Sequence, residues 1–221
     1  MSVLTRLQRE FLSRFFSQPS GQAFYLTGGV ALSEFYLQHR LSQDLDLFTQ
    51  SQPAFEASEN DLETAAREVG AGVIRFYPPK PGDNLSRCFL TLGDEPEIKI
   101  DVVHDPPPYF GEVMLQPDGV RVDSLENLAV GKLLAVFGRA YPRDFVDLYF
   151  LLKSGIDIDR LLALAKQKDL GFSEYFLGGM LEQIAKVEPR DLPRLLKPVD
   201  LEEMKRLLLD LAARLKRKKP E

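Results

Sequence analysis

The sequence predicts an α/β (α+β) architecture, with an N-terminal mixed sheet flanked by helices and then a C-terminal all-helical domain. Three observations carry this. Helical spacing and period-two alternation take turns through residues 1–105. The proline run DPPPYF, Asp105 to Phe110, fits the interior of neither helix nor sheet. Beyond about residue 120 the apolar patterns are helical. The expected division is a domain over 1–105, a linker and strand segment over 106–123, and a helical domain over 124–221.

The elements follow in order. In SVLTRLQREFLSRFF, Leu4, Leu7, Phe11 and Phe15 recur at helical spacing, and QAFYLT after it reads as a short aromatic strand. Gly28 and Gly29 break the chain, VALSEFYLQH resumes a helical pattern, and DLDLF alternates with period two. PAFEASENDLETAAREVG reads as a surface helix closed by Gly70, followed by strands GVIRFY, SRCFLTL and EIKIDVV. In the second half, SLENLAVGKLLAVFGRA is a helix that Asp123 or Ser124 can cap. PRDFVDLYFLLKSG is another, opened by Pro142 and stopped by Gly155, and later segments start at Asp157, Ser173, Pro189 and Asp200.

Composition bounds the function. With 221 residues, 44% of them hydrophobic, the chain can bury a substantial core. The single cysteine, Cys88, excludes an internal disulfide, and neither a signal-type segment nor an apolar run of spanning length is present, so a cytoplasmic protein with no membrane partner is expected. A net charge of −5 and a pI near 5.3 exclude a global positive field for nucleic acid. Any RNA contact has to come from a local patch, drawn from Arg121, Arg139, Arg143 and the basic tail Arg214 to Lys219.

Asp44 and Asp46 flank a leucine in a strand pattern. Residues two apart on a strand share a face, about 6.6 Å apart, so the two carboxylates can converge while Leu45 and Leu47 point into the core. Hard divalent cations take such ligands and complete their shells with substrate phosphates. A half-exposed strand with acidic outward positions is the alternative. In EIKIDVV, Ile98, Ile100 and Val102 form one face, Lys99 and Asp101 the other. FYLTGG runs a strand into a Gly-Gly turn and a helix, an arrangement that lets backbone amides approach phosphate oxygens; a plain tight turn is the alternative. His39 and His104 have no ligand cluster around them and read as solvated or hydrogen-bonded. VFGRAYPRDF lacks the alternating aromatic and basic pattern of a single-strand stacking platform.

Together, Gly28-Gly29, a helix, Asp44-Leu-Asp46 and Asp101 on a later strand resemble the catalytic core of the polymerase-β-like nucleotidyltransferases. The string TGGVALSEFYLQHRLSQDLDLF is more specifically similar to the AbiEii/AbiGii-type toxins of abortive infection, as is SLENLAVGKLLAVFGRAYPRDFVDLYFLL, with a lysine and a downstream Arg-Asp-x-x-Asp-Leu. The resemblance covers roughly residues 20–155 and implies a nucleotidyltransferase-like N-terminal domain. It implies that Asp44, Asp46 and Asp101 bind Mg2+ or Mn2+, and that Asp101 also helps to deprotonate an acceptor hydroxyl. It further implies that Lys132 contacts the phosphates of a nucleoside triphosphate and that Asp147 pairs with Lys132. Gly28, Gly29, Arg40, Ser42, Arg143 and Asp144 are the remaining nucleotide-binding positions it implies. The resemblance implies a Gly-Gly or Gly-Ser turn; with Gly29 here no serine hydroxyl is available, so backbone amides must hold the phosphate there. From spacing alone, Lys132 with Arg139 and Arg143 with Asp147 are equally explained as a solvated charged helix face. The implied activity is a toxin's transfer of a nucleoside monophosphate to RNA, at the 3′ end of tRNA, opposed by a cognate antitoxin. A small-molecule (aminoglycoside-type) acceptor and a catalytically silent nucleotide-binding module are the alternatives.

Overall fold

The computed structural model describes residues 2–77 and 82–217, with backbone alone at 75–77. Helix α1 (Arg6–Ser17) opens with a reciprocal cap: the Thr5 hydroxyl accepts from Gln8 N while the Gln8 side chain accepts from Thr5 N. Its apolar stripe, Phe11, Leu12 and Phe15, is fully buried, and Phe15 meets Phe24 edge-on at 5.4 Å. Each such ring contributes on the order of 1.5–3 kcal/mol by leaving water. Strand β1 (Phe24–Thr27) leads straight into α2 (Gly28–Ala31), which continues in π-helical winding over Leu32–Leu37.

Strand β2 (Leu45–Thr49) follows, then α3 (Gln52–Glu68), capped by the Ser51 hydroxyl, and strands β3 (Gly72–Tyr77), β4 (Leu85–Thr91) and β5 (Ile98–His104). Two-residue strands β6 (Met114–Leu115) and β7 (Arg121–Val122) complete a mixed sheet of order β3-β4-β5-β2-β1-β7-β6. Strand β2 runs antiparallel to β1 and parallel to β5, while β4 is antiparallel to both β3 and β5. The expected alternation holds in β2, where Leu45 and Leu47 are buried and Asp46 and Phe48 partly exposed.

Helices α4 (Leu125–Gly138), α5 (Pro142–Lys153), α6 (Ile158–Lys168), α7 (Glu174–Leu181) and α8 (Leu201–Lys216) follow. Asp157, Ser173 and Asp200 cap the last three as their positions predict. Leu133, Phe145, Leu148, Leu161, Leu177 and Leu208 belong to their core. The chain divides into two compact units. The first takes in the chain up to Tyr36, Ser42–Pro107 and Gly111–Ser124; the second takes in Leu37–Leu41, Pro108–Phe110 and the chain from Leu125 onward. Thus a five-residue segment between the Gly-Gly turn and Asp44 belongs to the helical unit.

Candidate active site

In the sheet unit, the parallel β2–β5 pairing sets Asp46 opposite Asp101. Lys99 and Asp101 are two apart on β5, as Asp44 and Asp46 are on β2. Lys99 Nζ lies 2.8 Å from Asp44 Oδ2 and 3.3 Å from Asp101 Oδ2, so all four side chains share one face of the sheet. Arg87, opposite Asp101 on β4, donates to it through Nε and through a second nitrogen at 2.9 Å, closing a bidentate pair. Burial pushes the Asp101 carboxyl up, but the Arg87 hydrogen bonds and the charges of Lys99 and Arg87 outweigh it and hold the group below the usual aspartate range. Burial likewise lowers Lys99, and its hydrogen bond to Asp44 with the charges of Asp101 and Asp44 outweighs that and raises it.

The Gly-Gly turn is built against this face. Gly28 has φ +72°, and a Cβ there would lie 1.8 Å from Asp46 Oδ2, so the position admits no side chain while the carboxylate keeps its place. Gly29 is buried in the first turn of α2. Next to it, the Thr27 hydroxyl donates to the buried Asp123, whose backbone N–H is bonded to Leu26 O, so Asp123 ties β1 to the chain after β7.

The donor set decides which residues can hold a metal. Asp44 and Asp46 are hard oxygen ligands and fit a magnesium-like ion, which takes one or two carboxylates. Asp101 has both oxygens engaged by Arg87 and one also by Lys99. Among the described residues no group of three or more His, Cys, Asp or Glu is arranged to hold a metal ion. Asp44, paired with Lys99, and Asp101, paired with Lys99 and Arg87, are both ion-paired in this arrangement, and Asp46 faces Asp101 across the β2–β5 pair. An acidified carboxylate is also a weak base.

The helical unit holds a second polar cluster. Asp147, fully buried, accepts at Oδ1 from Arg40 Nε at 2.6 Å and from His39 Nε2 at 2.7 Å. Its Oδ2 accepts from Arg40 at 2.8 Å and lies 2.8 Å from Lys132 Nζ. Burial pushes the Asp147 carboxyl up, and the Lys132 charge with the Arg40 and His39 hydrogen bonds overrides it, leaving the group well below the usual range. Burial lowers His39, more than its bond to Asp147 raises it, so His39 is the neutral donor. Arg40, Lys132 and a neutral His39 thus converge on one buried carboxylate. The solvated charged face allowed by spacing is thus corrected: Asp147 is buried and Lys132 nearly so.

Of the other expected positions, Arg40 is buried and bound bidentately to Asp147, which makes it a holder of that carboxylate. Gln38, with φ +48°, precedes this pair, and Leu41 N bonds Arg194 O. Asp144 is fully buried and accepts two hydrogen bonds from Arg139. Ser42 is half-buried, and Arg143 is exposed with its guanidinium 5.7 Å from the Tyr141 ring centroid. Of the expected basic rim, Arg121 donates to Phe24 O, Arg214 pairs with Asp159 and Lys216 with Glu182, while Lys218 and Lys219 lie outside the described residues. His39 is hydrogen-bonded, one of the two states its sequence context allowed, while sequence reasoning missed the roles of Lys99 and Arg87. Lys99 carries a signal, two residues from Asp101 on one strand face; Arg87 carries none, since its role depends on β4–β5 register.

Comparison with known proteins bears on the family and the fold. The family described as "Nucleotidyl transferase AbiEii toxin, Type IV TA system" matches residues 10–221. The chain belongs to the AbiEii nucleotidyl transferase toxin family. An uncharacterised protein of Aquifex aeolicus is 32% identical to this AbiEii member over 172 residues, 76% of this chain and 77% of the other. Two solved structures share the fold. MenT4, a nucleotidyltransferase toxin of Mycobacterium tuberculosis, superposes with a TM-score of 0.64 at 16% identity, covering 96% of this chain and 82% of that one. JHP933 of Helicobacter pylori gives 0.58 at 22% identity, covering 96% and 90%. As a member of this family the protein is a nucleotidyltransferase with a nucleoside triphosphate as substrate. No helix among the described residues is long and apolar enough to cross a membrane.

Proposed function

We propose that this AbiEii protein transfers a nucleoside monophosphate to a hydroxyl of RNA, at the 3′ end of tRNA, in a divalent-metal-dependent reaction, and that a cognate antitoxin opposes it. The observation that carries the reading is the seating of Asp46 over Gly28 and opposite Asp101, which gathers carboxylates, backbone amides and Lys99 on one sheet face. Asp44 and Asp46 would hold Mg2+ or Mn2+, which would supply charge neutralisation to the triphosphate. The Gly28 and Gly29 amides receive phosphate oxygens.

The acceptor hydroxyl oxygen forms a bond to the α-phosphorus as the bond to the bridging oxygen of the leaving pyrophosphate breaks, and the hydroxyl proton passes to solvent. Asp101 restrains Arg87 and Lys99, and Asp147 restrains Lys132; positioning and charge account for most of the rate. The test incubates the protein with each α-labelled nucleoside triphosphate, Mg2+ and total cellular RNA. Label in tRNA, absent with Asp46→Asn, is the expected result. Label confined to small molecules, or equal labelling by the variant, overturns the reading.

A further inference from the structure

The turn between α4 and α5 breaks two local preferences at once. Ala140 holds φ +49°, the left-handed region that favours glycine. Tyr141 occupies the N-cap of α5, where Ser, Thr, Asp or Asn is preferred, and its side chain makes no capping bond. Local choices that oppose the fold's own propensities concentrate at functional positions. Here they leave Tyr141 52% exposed as a residue, with the Arg139 guanidinium 5.3 Å and the Arg143 guanidinium 5.7 Å from its ring centroid.

The ring borders a cleft of about 340 Å³ lined by Tyr141, Pro142, Arg143, Asp191 and Pro193, large enough for a nucleoside-sized ligand. The two arginines differ. Arg139 is fixed by two hydrogen bonds to the buried Asp144. Arg143 has no ion pair among the described residues, so it can leave the ring for a phosphate as a base takes its place. Asp191, the one acid of the lining, accepts from Glu188 N, and its charge puts a phosphate on the Arg143 side. Tyr141 lies six residues before Asp147 on the same helix, about 9 Å along its axis.

We infer that Tyr141 and Arg143 form a nucleobase-binding ledge, in which the base stacks on the Tyr141 ring and Arg143 pairs with the adjoining phosphate. The fold builds from Arg-Ala-Tyr-Pro-Arg the platform that the sequence pattern did not disclose. The ledge depends on the proposed reading only in that the substrate carries a base, which both the triphosphate donor and an RNA acceptor supply.

The chain contains no tryptophan, so Tyr141→Trp places a unique fluorophore on the ledge. The full-length variant is titrated separately with each nucleoside triphosphate and with a single-stranded pentanucleotide lacking a triphosphate. Saturable quenching by the triphosphate assigns the ledge to the donor base, and quenching by the oligonucleotide assigns it to the acceptor. For the quenching ligand, Tyr141→Ala weakens binding about 5- to 150-fold while Tyr141→Phe stays within about twofold of the parent. For the oligonucleotide, Arg143→Gln lowers the slope of log affinity against log salt by about one. Unmoved emission at saturation, or parental affinity of Tyr141→Ala for both ligand types, overturns the ledge. Quenching without any RNA labelling sinks the RNA reading and keeps the ledge. Parental transfer and affinity in Tyr141→Ala do the reverse.

Discussion

Replacing Gly28 by alanine probes the junction of turn and carboxylate. Two costs are separable. The backbone at φ +72° disfavours an L side chain by about 1–2 kcal/mol. The added Cβ would also lie 1.8 Å from Asp46 Oδ2, 2.7 Å from Cγ and 3.0 Å from Cβ, so the carboxylate must leave its rotamer at about 0.5–1.5 kcal/mol more. Gly70 supplies the control, because it has φ +73° and a Cβ added there would meet nothing within 4 Å. Urea unfolding therefore shows Gly70→Ala losing the backbone cost alone and Gly28→Ala losing both. Transfer activity falls by about 100-fold or more in Gly28→Ala, as expected for an ångström-scale displacement of a metal-binding group, and is unchanged in Gly70→Ala. In an Asp46→Ala background, which removes the clashing oxygens, the Gly28→Ala penalty shrinks toward that of Gly70→Ala. Equal penalties in the parent background together with retained transfer would refute the reasoning.

Further predictions concern the ionised groups. Asp147→Asn removes the buried carboxylate shared by Arg40 and Lys132 and lowers urea stability by about 3–5 kcal/mol; a loss under about 1 kcal/mol contradicts the description of that cluster. His39 is lowered by burial, so the unfolded chain takes up its proton first as pH falls below about 6.5. Stability accordingly drops from pH 6.5 toward the folded pKa, and His39→Gln flattens that part of the urea-midpoint profile. Asp101 and Asp147 are depressed, so their stabilisation is complete above the unfolded value near 3.9 and is lost as pH falls below it, a separate acid limb in the same profile. Lys99→Met leaves Asp44, Asp46 and Asp101 less neutralised, so adding Mg2+ raises the urea midpoint more in the variant than in the parent.

Local physics made much of the fold legible. Alternation in DLDLF and EIKIDVV marked β2 and β5 and the faces carrying Asp46 and Asp101, and the capping residues Asp157, Ser173 and Asp200 marked three helix starts. Non-local pairing was beyond reach. Strands β6 and β7 hold two residues each, too few for a periodic signal, and Arg87 meets Asp101 through strand register alone. The charged stripe of α5 misled because periodicity reports which residues share a face and says nothing about what covers it. His39 and Arg40, which cover Asp147, come from a segment about a hundred residues earlier.

Binding of Mn2+, followed by electron paramagnetic resonance with a non-hydrolysable nucleoside triphosphate present, tests the metal assignment directly. The parent and Arg143→Gln, assayed at saturating nucleotide, should both immobilise the ion, and Asp46→Asn should leave it free. Equal Mn2+ binding by Asp46→Asn and the parent, or none by the parent, would contradict a metal-dependent transfer site on the β2–β5 face.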